Sequence, residues 1–238
     1  MFIDTKIGRN FARISIEKCL IICHGLPYEP GSVVEKSYYE LARFFSPHYT
    51  SLVFDFSGTG LSEGKFSLFA WVEDLVNVAK NFERVLLLGY SMGGAVAIRA
   101  ACDLDNVEKL AVVASPCSMD MFSEEVLRAI YENAKIKNVL KGIGDYDAFA
   151  SKFTSEFAEI EPKYWINKIR IPKLIVHGTE DDIVPFQHGE RLFEIAKPPK
   201  SFVRVVGGDH FLRQREEVSK AVMNWLQGKI EGVVEIRI

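Results

Sequence analysis

The sequence predicts an α/β fold, with a mainly parallel central sheet and helices on both faces. Short apolar runs alternate with helix-length segments along the 238-residue chain. Several runs are continuously apolar, Val85-Leu86-Leu87-Leu88 among them, as expected of strands covered on both faces. That run passes through Gly89-Tyr90-Ser91-Met92-Gly93 into the helix-forming stretch from Ala95 to Ala101. A strand, a tight turn bounded by glycines and a helix thus follow one another directly.

From the N-terminus, strands are expected at residues 12–16, 19–23, 51–54, 85–88, 109–114, 173–177 and 202–206. Helices are expected at 33–45, 69–82, 93–102, 186–195 and 214–227, the last with an apolar stripe of Val218, Val222, Trp225 and Leu226. Right-handed crossovers then place helices on both faces. The alternation lapses between residues 118 and 167, where two helical segments (123–140 and 146–159) stand with no strand between them. Ser123 before Glu124-Glu125 reads as an N-cap with acidic first-turn residues, and Gly142-Ile143-Gly144 separates the pair. We read 118–167 as a small helical cap inserted within one domain of residues 1–238; ordinary crossover helices are the alternative. Its aromatics (Phe122, Tyr131, Phe149, Phe153, Phe157 and Trp165) have the helical spacing of core residues more than of an acyl pocket. The tail alternates in Val233-Val234-Glu235-Ile236-Arg237-Ile238, as a half-buried strand does. Such a strand suits pairing with a sheet edge or another subunit, so a homo-oligomer stays open.

Composition excludes several classes. Hydrophobic residues make up 48% and charged residues 26%, which describes a globular chain and not a disordered one. A net charge of -3 gives no reason to expect nucleic acid or an anionic membrane as partner. No apolar signal-like run opens the sequence, and its apolar runs fall far short of the roughly 20 residues that span a bilayer. Cys19 and Cys23 would lie about 13 Å apart along a strand, too far for a disulfide. With Cys102 and Cys117 they read as reduced, buried thiols of a cytoplasmic protein.

The chemistry centres on Ser91. A serine between glycines at a strand-to-helix turn is held in a strained conformation with its hydroxyl pushed above the sheet. It needs a base, and a group to orient that base. Of the five histidines, His210 lies in Gly207-Gly208-Asp209-His210-Phe211, the loop after the last core strand, where a site on this fold collects its groups. His24 and His177 read as structural residues at strand ends, and His48 and His188 as surface positions. Glu180, Asp181 and Asp182 follow another strand end; Asp181 is the choice for the acid, while at least one of the three lies in a solvated turn. A metal site built from His177 and these carboxylates lacks a second histidine at ligand spacing. The Met92 N–H, opening a helix, and the Leu26 N–H, after His24-Gly25, could stabilise an oxyanion.

At this point the chain resembles the α/β-hydrolase superfamily along nearly its whole length. His24-Gly25, the run from Asp55 to Gly64, the turn from Gly89 to Gly93, the segment from His177 to Pro185, and Gly208-Asp209-His210 stand in that family's order. The resemblance implies an α/β-hydrolase fold. It also implies Ser91 as nucleophile, Asp181 and not Asp182 as acid, His210 as base, and Leu26 and Met92 as backbone oxyanion donors. The Asp55-to-Gly64 turn would shape the site's floor without catalysing. Within the family the chain looks most like small carboxylesterases of the cinnamoyl or feruloyl esterase type. It departs from many of them at Leu26, Tyr90 and Met92, changes that leave the triad intact and reshape the acyl side.

The expected activity is therefore carboxylesterase hydrolysis of small-molecule esters through an acyl-serine, with no metal or organic cofactor. A thioesterase or small-peptide peptidase on the same triad is the alternative, because loops and not the fold set the substrate. A hydrolase-derived ligand-binding protein is a third reading.

Overall fold

The apolar runs fold as seven strands in one sheet, described by a computed structural model for residues 18–35 and 37–238. The strand expected at 12–16 lies outside the described residues. The strands are β1 (Lys18–Cys23), β2 (Thr50–Val53), β3 (Arg84–Tyr90), β4 (Val107–Val113), β5 (Lys173–Gly178), β6 (Lys200–Val206) and β7 (Val233–Arg237). Their spatial order is β2-β1-β3-β4-β5-β6-β7, and every pairing is parallel. The alternating tail is thus the edge strand β7.

Side chains alternate across each strand and feed two cores. Cys19, Ile21 and Cys23 of β1, with Val85 and Leu87 of β3, face one core, where they meet α2 (Leu68–Ala79), α3 (Met92–Ala100) and α7 (Gln187–Ile195). Leu20, Ile22, Leu86 and Leu88 face the other, against α1 (Ser37–Phe45) and α8 (Glu216–Leu226). Two expected helices begin later than the pattern implied. The segment expected at 33–45 opens as a 3₁₀ turn at Val33–Glu35, whose first N–H is taken by Asp55 Oδ1 at 2.8 Å. The segment expected at 214–227 opens as a 3₁₀ turn at Leu212–Gln214, and extended Arg215 separates it from α8.

The 118–167 segment contains α4 (Glu124–Lys137), α5 (Tyr146–Ile160) and α6 (Pro162–Trp165). Ser123 caps α4 by accepting the Val126 N–H, as its position before two glutamates implied, and Asp145 caps α5 through the Ala148 N–H. The single turn of α6, with Pro162 at its first position, was not foreseen. The segment is sewn to the loop after β2. Glu156 accepts from the Leu68 N–H at 2.6 Å and the Ser67 hydroxyl at 2.9 Å, while Lys141 donates to the Gly60 and Ser62 carbonyls. Phe122, Phe149, Phe153 and Phe157 are buried in mutual ring contact, and Tyr131 and Trp165 pack at that core's margin.

Among the described strands the connections run from β1 outward to β2, then back across β1 to β3. Reversal of strand order leaves a crevice at the carboxyl ends of β1 and β3. The loops that open there begin with His24-Gly25 and with Ser91.

Candidate active site

Ser91 has φ 51° and ψ −125°, a conformation that L-residues rarely adopt. Hydrogen bonds fix it on both sides: its N–H donates to Val113 O at 2.9 Å, and its carbonyl accepts from the Gly94 N–H at 2.8 Å. The glycines around it are required by contact. A Cβ on Gly93 would fall 2.4 Å from His24 O, and one on Gly89 would fall 2.5 Å from Gly93 O. The close approach of α3 to β1 and β3 therefore excludes any side chain at either position.

The loops after β5 and β6 bring the other two groups to this turn. Glu180 N–H donates to Gly208 O at 2.9 Å, and Thr179 Oγ1 accepts from the Gly207 N–H at 3.0 Å. These bonds lay Asp181 beside His210. His210 Nδ1 lies 2.9 Å and 3.0 Å from the two Asp181 oxygens, and His210 Nε2 lies 3.1 Å from Ser91 Oγ. A carboxylate only accepts, so Nδ1 carries the imidazole proton and bare Nε2 accepts from the Ser91 hydroxyl. Asp182, the neighbour weighed against Asp181, is exposed.

Burial of Asp181 works against its ionisation. The His177 and His210 imidazoles and the Val184 N–H outweigh that effect and hold the carboxyl well below the usual carboxylate range. Asp181 Oδ1 also accepts from the Ile183 N–H at 3.1 Å and the Val184 N–H at 2.8 Å. It is thus a fixed anion facing the imidazole.

Gly25 packs against the serine: a Cβ there would fall 2.8 Å from Ser91 Cβ and 3.2 Å from Tyr90 O. His24 is fully buried, and both its nitrogens are satisfied. Nε2 accepts from the Phe56 N–H at 3.1 Å, so Nδ1 bears the proton and donates to Gly25 O at 2.6 Å. Burial pushes this imidazole down to about 4, keeping it neutral. The carbonyl it holds belongs to the same peptide unit as the Leu26 N–H, and in a trans peptide the two point in opposite directions. Tyr38 Oη accepts from the Gly25 N–H at 3.1 Å and steadies the turn from the other side. Met92 opens α3, whose leading N–H groups have no intrahelical acceptor. Met92 thus follows Ser91 directly at the start of α3, while Leu26 follows Gly25, which packs against Ser91 from the β1 loop.

Of the remaining histidines, His177 is structural as expected, with Nε2 2.8 Å from Val184 O. His188 departs from its reading as a surface position. It is buried, and its Nδ1 accepts from the Cys117 N–H at 3.1 Å, which ties α7 to the start of the 118–167 segment. Tyr38 was not singled out from the sequence; its partner Gly25 is 13 residues away, and nothing in the α1 pattern marks it. The described cysteines are all free, with Cys102 half-buried and the other three buried. Among the described residues no three His, Cys, Asp or Glu side chains are grouped as a metal site requires.

The sequence matches the alpha/beta hydrolase family over residues 20–165, more than half of the chain, and the protein belongs to that family. Its relatives include YfhR of Escherichia coli O157:H7, an uncharacterized protein 24% identical over 173 residues, or 68% of this chain and 54% of YfhR. YqkD of Bacillus subtilis, also uncharacterized, is 25% identical over 237 residues, covering 92% of this chain and 74% of YqkD. The chain thus spans about half the length of the YfhR relatives. Among solved structures it is similar to a lipase-esterase related protein from Clostridium acetobutylicum, with a TM-score of 0.68, 19% identity and coverage of 92% and 96% of the two chains. It is also similar to the monoacylglycerol lipase of Paleococcus ferrophilus, with a TM-score of 0.66, 20% identity and coverage of 89% and 95%. At such identities the likeness speaks for the fold alone.

Proposed function

We propose that the protein is a serine carboxylesterase that hydrolyses small esters through an acyl-serine intermediate. The observation that carries this reading is the unbroken line from Asp181 through His210 to Ser91 Oγ, ending on a serine held at positive φ. His210 Nε2 takes the Ser91 proton as Oγ attacks the ester carbonyl. The Leu26 and Met92 N–H groups stabilise the oxyanion, a role for which one donor is worth about 10²–10³ in turnover. His210 then protonates the leaving alcohol and activates the water that frees the acid, while Asp181 keeps the imidazole in its tautomer and balances the imidazolium. Only side chains, backbone donors and water enter these steps.

The 118–167 segment serves in this reading as a small cap beside the β2 loop, to which it is bonded. The lipase and esterase names among the structural neighbours agree with ester chemistry. Four free thiols fit a reducing compartment such as the cytoplasm.

The test is a panel of chromogenic esters, from acetyl to long acyl, with a hydroxycinnamate ester for the cinnamoyl or feruloyl subtype. Turnover that vanishes in Ser91→Ala is the expected result. Its dependence on chain length measures the acyl pocket. Turnover of thioesters or peptides with none of esters would replace this reading.

A further inference from the structure

A second imidazole stands behind the acid. His177, at the end of β5, is fully buried, and its Nε2 lies 2.8 Å from Val184 O and 3.4 Å from Asp181 Oδ2. Both of these neighbours are acceptors, so Nε2 carries the proton. That proton makes its hydrogen bond to Val184 O and presents its positive end to the carboxylate. The Val184 N–H in turn donates to Asp181 Oδ1 at 2.8 Å. The peptide groups of Val184 are therefore held on one side by His177 and grip Asp181 on the other.

The far side of the ring shows what this arrangement costs. Among the described residues the buried His177 Nδ1 has no hydrogen-bond partner, and Gly189 of α7 closes over it so tightly that a Cβ there would fall 2.6 Å away. A buried nitrogen left unpaired opposes folding. A residue chosen only to fill this space would be apolar. Here an imidazole stands instead, and its opposite nitrogen meets the carboxylate that faces His210.

Resting on the serine-hydrolase reading, we infer that His177 is a positioning residue for the triad. It holds the 181–184 loop and supplies a donor dipole to Asp181, so that the carboxylate meets His210 Nδ1 in one fixed orientation. The ionisable groups around it are Asp181, His210 on the β6 loop, and His188 on α7, which in turn faces Asp120 and Arg191.

The experiment compares His177→Gln, His177→Asn and His177→Leu, each checked for folding by thermal melting. Glutamine can place an amide N–H near the Nε2 position, asparagine only near Nδ1, and leucine neither. In ester turnover, Gln is expected within about threefold of the parent. Asn and Leu should lose about ten- to a hundredfold in kcat with KM within about twofold, as misplacement of a catalytic group does. With the donor gone, the Asp181 charge is less dispersed and holds the imidazolium more firmly. The acidic limb of the rate profile then moves to higher pH, by about half a unit, in Asn and Leu but not in Gln. The Nδ1 proton shared by His210 and Asp181, followed by NMR in the resting protein, should shift in the same two variants.

The NMR arm needs no substrate, so it decides the inference even if Ser91→Ala shows that the esterase reading is wrong. If Leu does not fold, the Gln–Asn pair carries the comparison. Equal behaviour of Gln, Asn and Leu in kcat, pH limb and proton resonance would overturn the inference and leave His177 a space-filling residue.

Discussion

Replacing Gly25 by alanine tests how the β1 turn holds the serine. The new Cβ would stand 2.8 Å from Ser91 Cβ, where ordinary contact begins at 3.4 Å. The deficit is therefore about 0.6 Å, and something must move by that amount to relieve it. Ser91 cannot yield by a rotamer change, because the clash is at Cβ and its backbone is bonded to Val113 O and the Gly94 N–H. The displacement falls on the Ser91–His210 bond and on the peptide carrying the Leu26 N–H. A misplacement of about 1 Å typically costs about a hundredfold, so a 0.6 Å shift should lower kcat by roughly ten- to thirtyfold. Overpacking should also destabilise the fold by about 1–3 kcal/mol. Gly93→Ala should be worse on both counts, since its Cβ would lie 2.4 Å from the backbone oxygen of His24. The assay is turnover of a short nitrophenyl ester per active site, with a urea melt of each variant. A folded Gly25→Ala protein with parental turnover would refute the claim that the β1 turn positions Ser91.

Three further predictions address the acid, the buried histidine and the helical segment. Asp181→Asn should lower kcat by about 10⁴-fold, because an amide can support the wrong imidazole tautomer, while exposed Asp182→Asn stays within about twofold; steady-state kinetics of the two settle which residue has the role. His24 is fully buried, with its proton affinity lowered from 6.5 to about 4. The unfolded chain alone binds that proton between these values, so stability should fall as pH drops from 6.5 to 4, by at most about 3 kcal/mol. The stabilisation held by Asp181 is full above 3.8 and lost only below it. Urea midpoints against pH should therefore show two windows, and His24→Gln should flatten the upper one, leaving there the smaller share of buried His188. Glu156→Ala removes the acceptor of the Leu68 N–H and the Ser67 hydroxyl and should cost about 1–3 kcal/mol; an unchanged melting temperature would detach this contact from stability.

Where the sequence was legible, local chemistry explains why. Continuous apolar runs such as Leu86-Leu87-Leu88 serve two cores at once, and only a sheet covered on both faces uses them so. The Ser91 turn was readable because an apolar strand run, a pair of flanking glycines and a helix-forming stretch adjoin it in the chain, although only the contact that demands Gly89 is local and the one that demands Gly93 comes from His24 on the β1 loop. The order of Ser91, Asp181 and His210 along the chain also let the resemblance pick out three side chains that the structure brings within hydrogen-bond reach of one another. What stayed hidden depends on distant partners. His188 looked like an exposed helical residue because Cys117, 71 positions away, supplies its hydrogen bond. Tyr38 and Glu156 work across 13 and 88 residues, and no local pattern marks either. The second role argued for His177 depends on which ring nitrogen meets Asp181, a matter of orientation that residue order does not encode.

The most direct test of the account is labelling with a fluorophosphonate probe, followed by peptide mapping, on the parent protein, Ser91→Ala and His210→Ala. The account predicts one covalent adduct, on Ser91, which is absent in Ser91→Ala and forms orders of magnitude more slowly in His210→Ala. It also predicts that loss of labelling and loss of ester turnover go together, with turnover lowered up to about a millionfold. A Ser91→Ala protein that is still labelled elsewhere and still hydrolyses esters would contradict it.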